Sequence, residues 1–286
     1  MFRNTHSTIL VFSSILFSLF LLSSCDEKKA EEQPDSETID ITDDITDEEN
    51  ITYILPSPLQ IASIFKRSGM EYVSGISNPT ANAEKYTGIF SKSLAMGIYS
   101  ADLAYGIVNN QTQEAMNNLK TIKNISGDLG LASVFDTESL LTRFENNLGN
   151  EDSLAYIVSD LQMDMDVYLE ENQKEHLAVL IFTGAWIESM YLGSKTVEKA
   201  DNKKLSNRIG EQFIILDNLI KALKSKNKAN ESIPLLITEL EHIKTLFDSV
   251  TNETEDQSSF NIKEQDLNLL SIKIQELRLK ITEGNL

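Results

Sequence analysis

From about Ile54 onward, apolar residues recur every three or four positions. Leu205, Ile209, Phe213, Leu216, Ile220 and Leu223 form one such row. Ile233, Leu236, Leu240, Ile243, Phe247 and Val250 form a second, and Leu267, Leu270, Ile274, Leu277 and Ile281 a third. This spacing gathers each row on one face of an α-helix, and the period-two alternation of a half-buried strand is nearly absent. The pattern predicts helices over 58–74, 80–108, 111–127, 137–148, 151–171, 174–200, 203–225, 232–251 and 263–283. Pro56, Pro58, Pro79 and Pro234 fall at the predicted starts, with Ser57, Asn78 and Ser232 as capping residues close before three of them. Short connections join antiparallel neighbours, so the expected fold is an all-α antiparallel bundle of about eight or nine helices over residues 54–286.

Two of these helices resemble one another. Thr87-Gly88-Ile89-Phe90-Ser91-Lys92-Ser93-Leu94-Ala95-Met96-Gly97 superposes on Thr183-Gly184-Ala185-Trp186-Ile187-Glu188-Ser189-Met190-Tyr191-Leu192-Gly193 at an offset of 96, matching both glycines, the threonine and a serine. Each segment precedes three further predicted helices, which reads as a duplicated four-helix unit, about 80–171 and 174–283. Glycine inside a helix costs about 1 kcal/mol relative to alanine, so Gly88, Gly97, Gly184 and Gly193 call for a reason. Close approach of a neighbouring helix is one. Room for a ligand beside Tyr99, Tyr105, Trp186 and Tyr191 is the other.

The N-terminal segment is of a different kind. Arg3 precedes an apolar stretch, Ile9 to Leu22, of 14 residues. That is shorter than the roughly 20 residues needed to span a bilayer, and it reads as the h-region of a cleaved signal peptide, residues 1–24. Leu22-Ser23-Ser24-Cys25 follows and resembles the bacterial lipobox, in which the cysteine receives diacylglycerol before cleavage. Cys25 is the sole cysteine of the chain, so no intramolecular disulfide competes for it. The lipobox pattern implies three acyl chains, and at about 0.8 kcal/mol per buried methylene the attachment would be effectively permanent. The expected partner of Cys25 is therefore a membrane.

Composition then changes abruptly. Between Asp26 and Asn50 twelve acidic residues face two lysines, with no aromatic residue. Such a segment buries too little apolar surface to offset its ordering entropy, and like charges extend it. Residues 25–53 read as an acidic tether. It carries about half of the formal net charge of −19, leaving the helical part moderately acidic. No basic patch points to nucleic acid.

Candidate chemistry is sparse. Asp102 interrupts an apolar helix between Tyr99 and Tyr105, and Glu188 lies beside Trp186. Buried carboxylates need partners, which tyrosine hydroxyls or Lys92 could supply. Tyr99, Asp102, Trp186 and Glu188 are thus the candidate residues of either a ligand pocket between helices or a buried polar network. Under the duplication Lys92 corresponds to Glu188 and Asp102 to Glu198, and charges paired at the seam would be structural. His176 and His242 are isolated, His6 falls in the signal, and Asp160, Asp164 and Asp166 lack the calcium-loop spacing. No metal or cofactor is expected. No nucleophile elbow, Ser-x-x-Lys set or phosphate loop is present, so no motif names an enzyme.

The segments Gly97-Ile98-Tyr99-Ser100-Ala101-Asp102-Leu103-Ala104-Tyr105 and Phe182-Thr183-Gly184-Ala185-Trp186-Ile187-Glu188 resemble parts of uncharacterised all-helical lipoproteins of Bacteroidetes-type bacteria. The resemblance implies a cell-envelope address and no assigned activity. In that phylum, acids directly after the lipidated cysteine, here Asp26-Glu27, resemble a surface-export signal at the outer membrane. In enterobacteria aspartate there suggests inner-membrane retention. The function expected is that of a membrane-anchored envelope lipoprotein with a non-catalytic helical domain that binds an envelope protein or supports an assembly. A small-ligand binding domain is the alternative.

Overall fold

A computed structural model describes residues 56–135, 139–197, 202–225, 232–251 and 262–286. The signal segment, Cys25 and the acidic tether lie outside the described residues. The fold is all-α. Among the described residues there are eleven α-helices, two 3₁₀ turns and no strand. In chain order the helices are α1 (Pro58–Arg67), α2 (Gly88–Val108), α3 (Thr112–Asp128), α4 (Ala132–Phe135), α5 (Leu140–Asn146), α6 (Glu151–Glu171), α7 (Glu175–Val197), α8 (Lys203–Gln212), α9 (Leu216–Ser225), α10 (Ser232–Thr251) and α11 (Glu264–Thr282).

Local chemistry sets most boundaries. Ser57 and Gln60 form a reciprocal capping box ahead of Pro58, satisfying two orphan backbone donors at the start of α1. That helix ends at Arg67 rather than near residue 74, because Gly69 takes φ +94° and turns the chain away. The predicted helix 80–108 is divided: a 3₁₀ turn, Thr80–Lys85, precedes α2, and Gly88 with φ +84° stands at the junction. The predicted helix 203–225 is likewise interrupted by a 3₁₀ turn at Phe213–Ile215.

The long helices α2 and α7 form the centre. The α6–α7 turn reaches the end of α3, where Tyr168 Oη and Lys174 Nζ donate to Gly130 O at 3.1 and 2.9 Å. Lys92 near the start of α2 pairs with Asp128 of α3 at the same end. Both central helices therefore start at one end of the bundle and run in the same direction. At their crossing Gly97 faces the backbone of Ile181 and Ala185, and Gly184 faces the Leu94 carbonyl. A Cβ at either glycine would enter a backbone atom of the opposing helix, so backbone touches backbone here.

The other two repeated glycines do different things. Gly88 has nothing near it, and Gly193 leaves room for the Phe65 ring of α1. The close contacts are thus Gly97 on Ile181 and Ala185 and Gly184 on Leu94, and the offset of 96 does not superpose Gly97 on Gly184. All the described helices fall in one compact unit. By length and mean hydropathy α7 would serve to cross a membrane, yet 78 % of its apolar window is buried by the surrounding helices.

Candidate functional site

Three helices each send one ionisable side chain into the interior: Asp102 from α2, Glu188 from α7 and Arg278 from α11. Asp102 is 1 % exposed and Glu188 0 %. Arg278 meets Glu188 in a bidentate fork, Nε to Oε2 at 2.6 Å and a terminal nitrogen to Oε1 at 2.7 Å. The guanidinium plane lies 4.0 Å from the Tyr191 ring centroid and donates a further bond to Ile76 O at 3.3 Å. Planar stacking and a two-pronged bond to a carboxylate are properties that lysine lacks.

A carboxylate already matched by Arg278 leaves Asp102 without a cation of its own. Its Oδ2 accepts the Asn78 backbone N–H at 3.0 Å, while no donor reaches Oδ1. Burial pushes the Asp102 carboxyl well above its ordinary range, and the negative charge of Glu188 pushes it further. Burial also raises Glu188, opposed by the charge and hydrogen bonds of Arg278. Interaction between the two acids raises Asp102 and lowers Glu188, so Asp102 is the one that holds a proton more readily. Burial alone would lower Arg278, but Glu188 outweighs it and holds the guanidinium charged.

Around this triad the chain from residue 70 to 86 lies as a strap along α2. Tyr105, one turn beyond Asp102, accepts the Val73 N–H at 2.6 Å. Tyr99, one turn before, donates to Pro79 O at 3.0 Å. Asn78 donates from its side chain to the Tyr86 hydroxyl at 2.9 Å, and the Tyr86 ring stands edge-on to Tyr99. Positions 99, 102 and 105 follow one another at i, i+3 and i+6, so one strip of α2 anchors an irregular segment whose backbone groups would otherwise be unpaired. Burial pushes the phenol of Tyr105 up to about 12 and raises Tyr86 and Tyr99 as well, so all three remain protonated donors or acceptors at neutral pH.

The structure brings Tyr99, Asp102 and Glu188 into one cluster and sets Trp186 apart. Two residues along a helix correspond to about 200°, so Trp186 and Glu188 face opposite ways from α7. Trp186 donates from Nε1 to Gln212 O at 3.2 Å and meets Phe213 edge-on at 5.7 Å, with Phe247 stacked behind. None of the four lines the concavity of about 480 Å³ at the start of α2, which is bounded by Lys85, Thr87, Gly88, Phe90, Ile281 and Leu286. Lys92 is not the cation of the cluster; it pairs with Asp128 at the surface, and Glu198 lies outside the described residues.

Arg278 is the member that the periodicity of α11 conceals. It sits one turn after Ile274 and beside Leu277, at the edge of the apolar row, where a basic residue ordinarily reads as a solvated flank. The available signal was the unmatched charge of Glu188, which demanded a cation from somewhere in the chain. Among the described residues no group of three or more potential ligands could hold a metal ion.

Chemically, a carboxylic acid beside a carboxylate is the arrangement of a proton-transfer pair, but both acids here are sealed from solvent by protein atoms. Their hydrogen bonds go to the strap and to Arg278. The cluster fastens α2, α7, α11 and the strap to one another. No protein-family model matches the chain, and neither curated proteins nor solved structures give a match.

Proposed function

We propose that this chain is a lipoprotein of a bacterial cell envelope, anchored through Cys25 to the outer membrane. Its acidic tether holds out a non-catalytic helical domain that binds another envelope protein. The observation that carries the anchor is Leu22-Ser23-Ser24-Cys25 directly behind a 14-residue apolar stretch, at the one cysteine of the chain. Twelve acids between residues 26 and 50 support a spacer that an anionic lipid surface repels rather than adsorbs.

Two features support binding rather than catalysis. The convergent ionisable groups lie inside the bundle instead of facing a cleft: Glu188 pairs with Arg278, and Asp102 accepts from the Asn78 backbone. Large apolar side chains, meanwhile, stand exposed in a row on α6, where a partner can reach them.

The test is metabolic labelling with an alkyne-bearing fatty acid in a Gram-negative host, followed by envelope fractionation. The wild-type chain is expected to take up label and sediment with the outer membrane, and Cys25→Ser to lose both. Unlabelled wild-type protein, or label retained by Cys25→Ser, would overturn the anchor. Outer-membrane fractions free of labelled protein would overturn the address.

A further inference from the structure

The helix α6, Glu151–Glu171, contains seven acidic residues and no lysine or arginine. Along its outer side Tyr156, Met163 and Val167 are 68, 61 and 50 % exposed. At about 100° per residue these three project within roughly 40° of one another, forming a straight apolar row about 17 Å long. Carboxylates border the row on both sides. Asp160, Asp164 and Glu171 lie about 40–80° to one side, and Asp152, Asp166 and Glu170 about 40–80° to the other. Among the described residues Asp160 pairs with Arg143 of α5 at 3.4 Å.

Three exposed apolar side chains in register are uneconomical on a free surface, and their border selects what covers them. A second copy of this chain would lay one acidic rim against another. The tether, with twelve acids and two lysines, is repelled for the same reason, as is an anionic membrane surface. What fits is a segment of opposite sign with an apolar row of matching length.

We propose that the outer face of α6 is the docking surface for a cationic amphipathic helix of a partner protein, its apolar row seated on Tyr156, Met163 and Val167. Lysines and arginines on both flanks of that helix would face the two acidic borders. This rests on the binding-module reading above and gives that module a partner chemistry. About three turns of helix would suffice to span the row, and the flanking charges would fix its register.

The test uses the full-length lipidated chain in its own envelope, with a benzophenone amino acid placed at Met163 or, for comparison, at Ile214, Leu235 or Leu279, which are exposed on other elements. Irradiation is expected to yield adducts at position 163 at least tenfold above the other sites. The attached peptide, identified by mass spectrometry, is expected to carry Lys or Arg on both sides of an apolar row. Asp164→Lys combined with Glu170→Lys is expected to reduce that yield at least tenfold while leaving the thermal transition in place. An attached peptide that is acidic or neutral, or one from a second copy of this chain, would overturn the proposal, as would indifference to the charge reversal. Adducts from the comparison sites alone would overturn the assignment to α6 and leave the binding-module reading standing. Absence of adducts at every site, with Cys25 lipidated, would overturn both.

Discussion

Arg278 grips Glu188 with both prongs inside the bundle, and the Glu188 charge adds to burial in holding the Asp102 carboxyl well above its ordinary range. Two acids, on α2 and α7, thereby have one guanidinium between them. The folded state holds the Asp102 proton more tightly than the unfolded chain does, because burial and the Glu188 charge both oppose ionisation.

The sign of the pH dependence follows. A carboxyl raised on folding contributes stability that is fully present below its unfolded value, about 4, and is lost as pH rises through the folded value. Calorimetric melting temperature is expected to fall as pH is raised from about 4, after allowance for the exposed carboxylates. Asp102→Asn keeps an acceptor for the Asn78 N–H and carries no titrating proton, so its melting temperature is expected to match or exceed the wild-type value near pH 7 and to lack this part of the slope. Parallel profiles for the two proteins would contradict the assignment.

Removing Arg278 strands Glu188 as an uncompensated buried charge. Arg278→Ala is expected to cost about 3–5 kcal/mol in denaturant unfolding. Replacing both members, Glu188→Gln with Arg278→Met, is expected to cost less than Arg278→Ala alone, since a neutral pair leaves no buried charge. Arg278→Lys keeps the charge but loses the fork and the stacking on Tyr191, and should fall between wild type and Arg278→Ala.

The close approach of α2 to α7 and the open space beside α3 give opposite predictions for two glycines. Gly97→Ala drives a Cβ into the Ile181 carbonyl, and neither backbone can yield without separating the central helices. The expected loss is about 3 kcal/mol, outweighing the roughly 1 kcal/mol that alanine gains in helix propensity. Gly127→Ala, on the exposed side of α3 with nothing within 4 Å, should gain up to about 1 kcal/mol. Melting temperatures of the two variants, compared with wild type, read both signs.

The strap is expected to exchange slowly despite its irregular backbone. Hydrogen exchange followed by NMR should show protection at the Val73 and Asn78 amides, which donate to Tyr105 and Asp102. Tyr105→Phe leaves the buried Val73 N–H without an acceptor, at a cost of about 1–3 kcal/mol. Its exchange is expected to accelerate at Val73 first, with Asn78 less affected.

The fold class was legible because the apolar rows of α8 through α11 repeat at helical spacing over whole elements. Boundaries were less so. Gly69 and Gly88 break helices by adopting positive φ, and a glycine's backbone conformation leaves no periodic mark. The similarity between the stretches around Gly88 and Gly184 pointed to the right two helices. The contacts they make, Gly97 on Ile181 and Ala185 and Gly184 on Leu94, depend on the crossing of the helices and are not encoded in the offset of 96. At the cluster, Tyr99, Asp102 and Glu188 stood out as polar residues in apolar surroundings. Arg278 did not, because it comes from 90 residues beyond Glu188 at the margin of an otherwise ordinary amphipathic helix. Trp186 was drawn in by adjacency to Glu188 along the chain, whereas helical phase points the two in opposite directions.

The central claim is that Asp102, Glu188 and Arg278 are a structural bolt in which Asp102 keeps its proton at neutral pH. Infrared spectroscopy of protein carrying isotope-labelled aspartate tests it most directly. At neutral pH the account predicts a protonated carboxyl C=O band that shifts with the label and disappears in Asp102→Asn. A spectrum with no protonated aspartate at neutral pH, or one whose band survives Asp102→Asn unchanged, would contradict it.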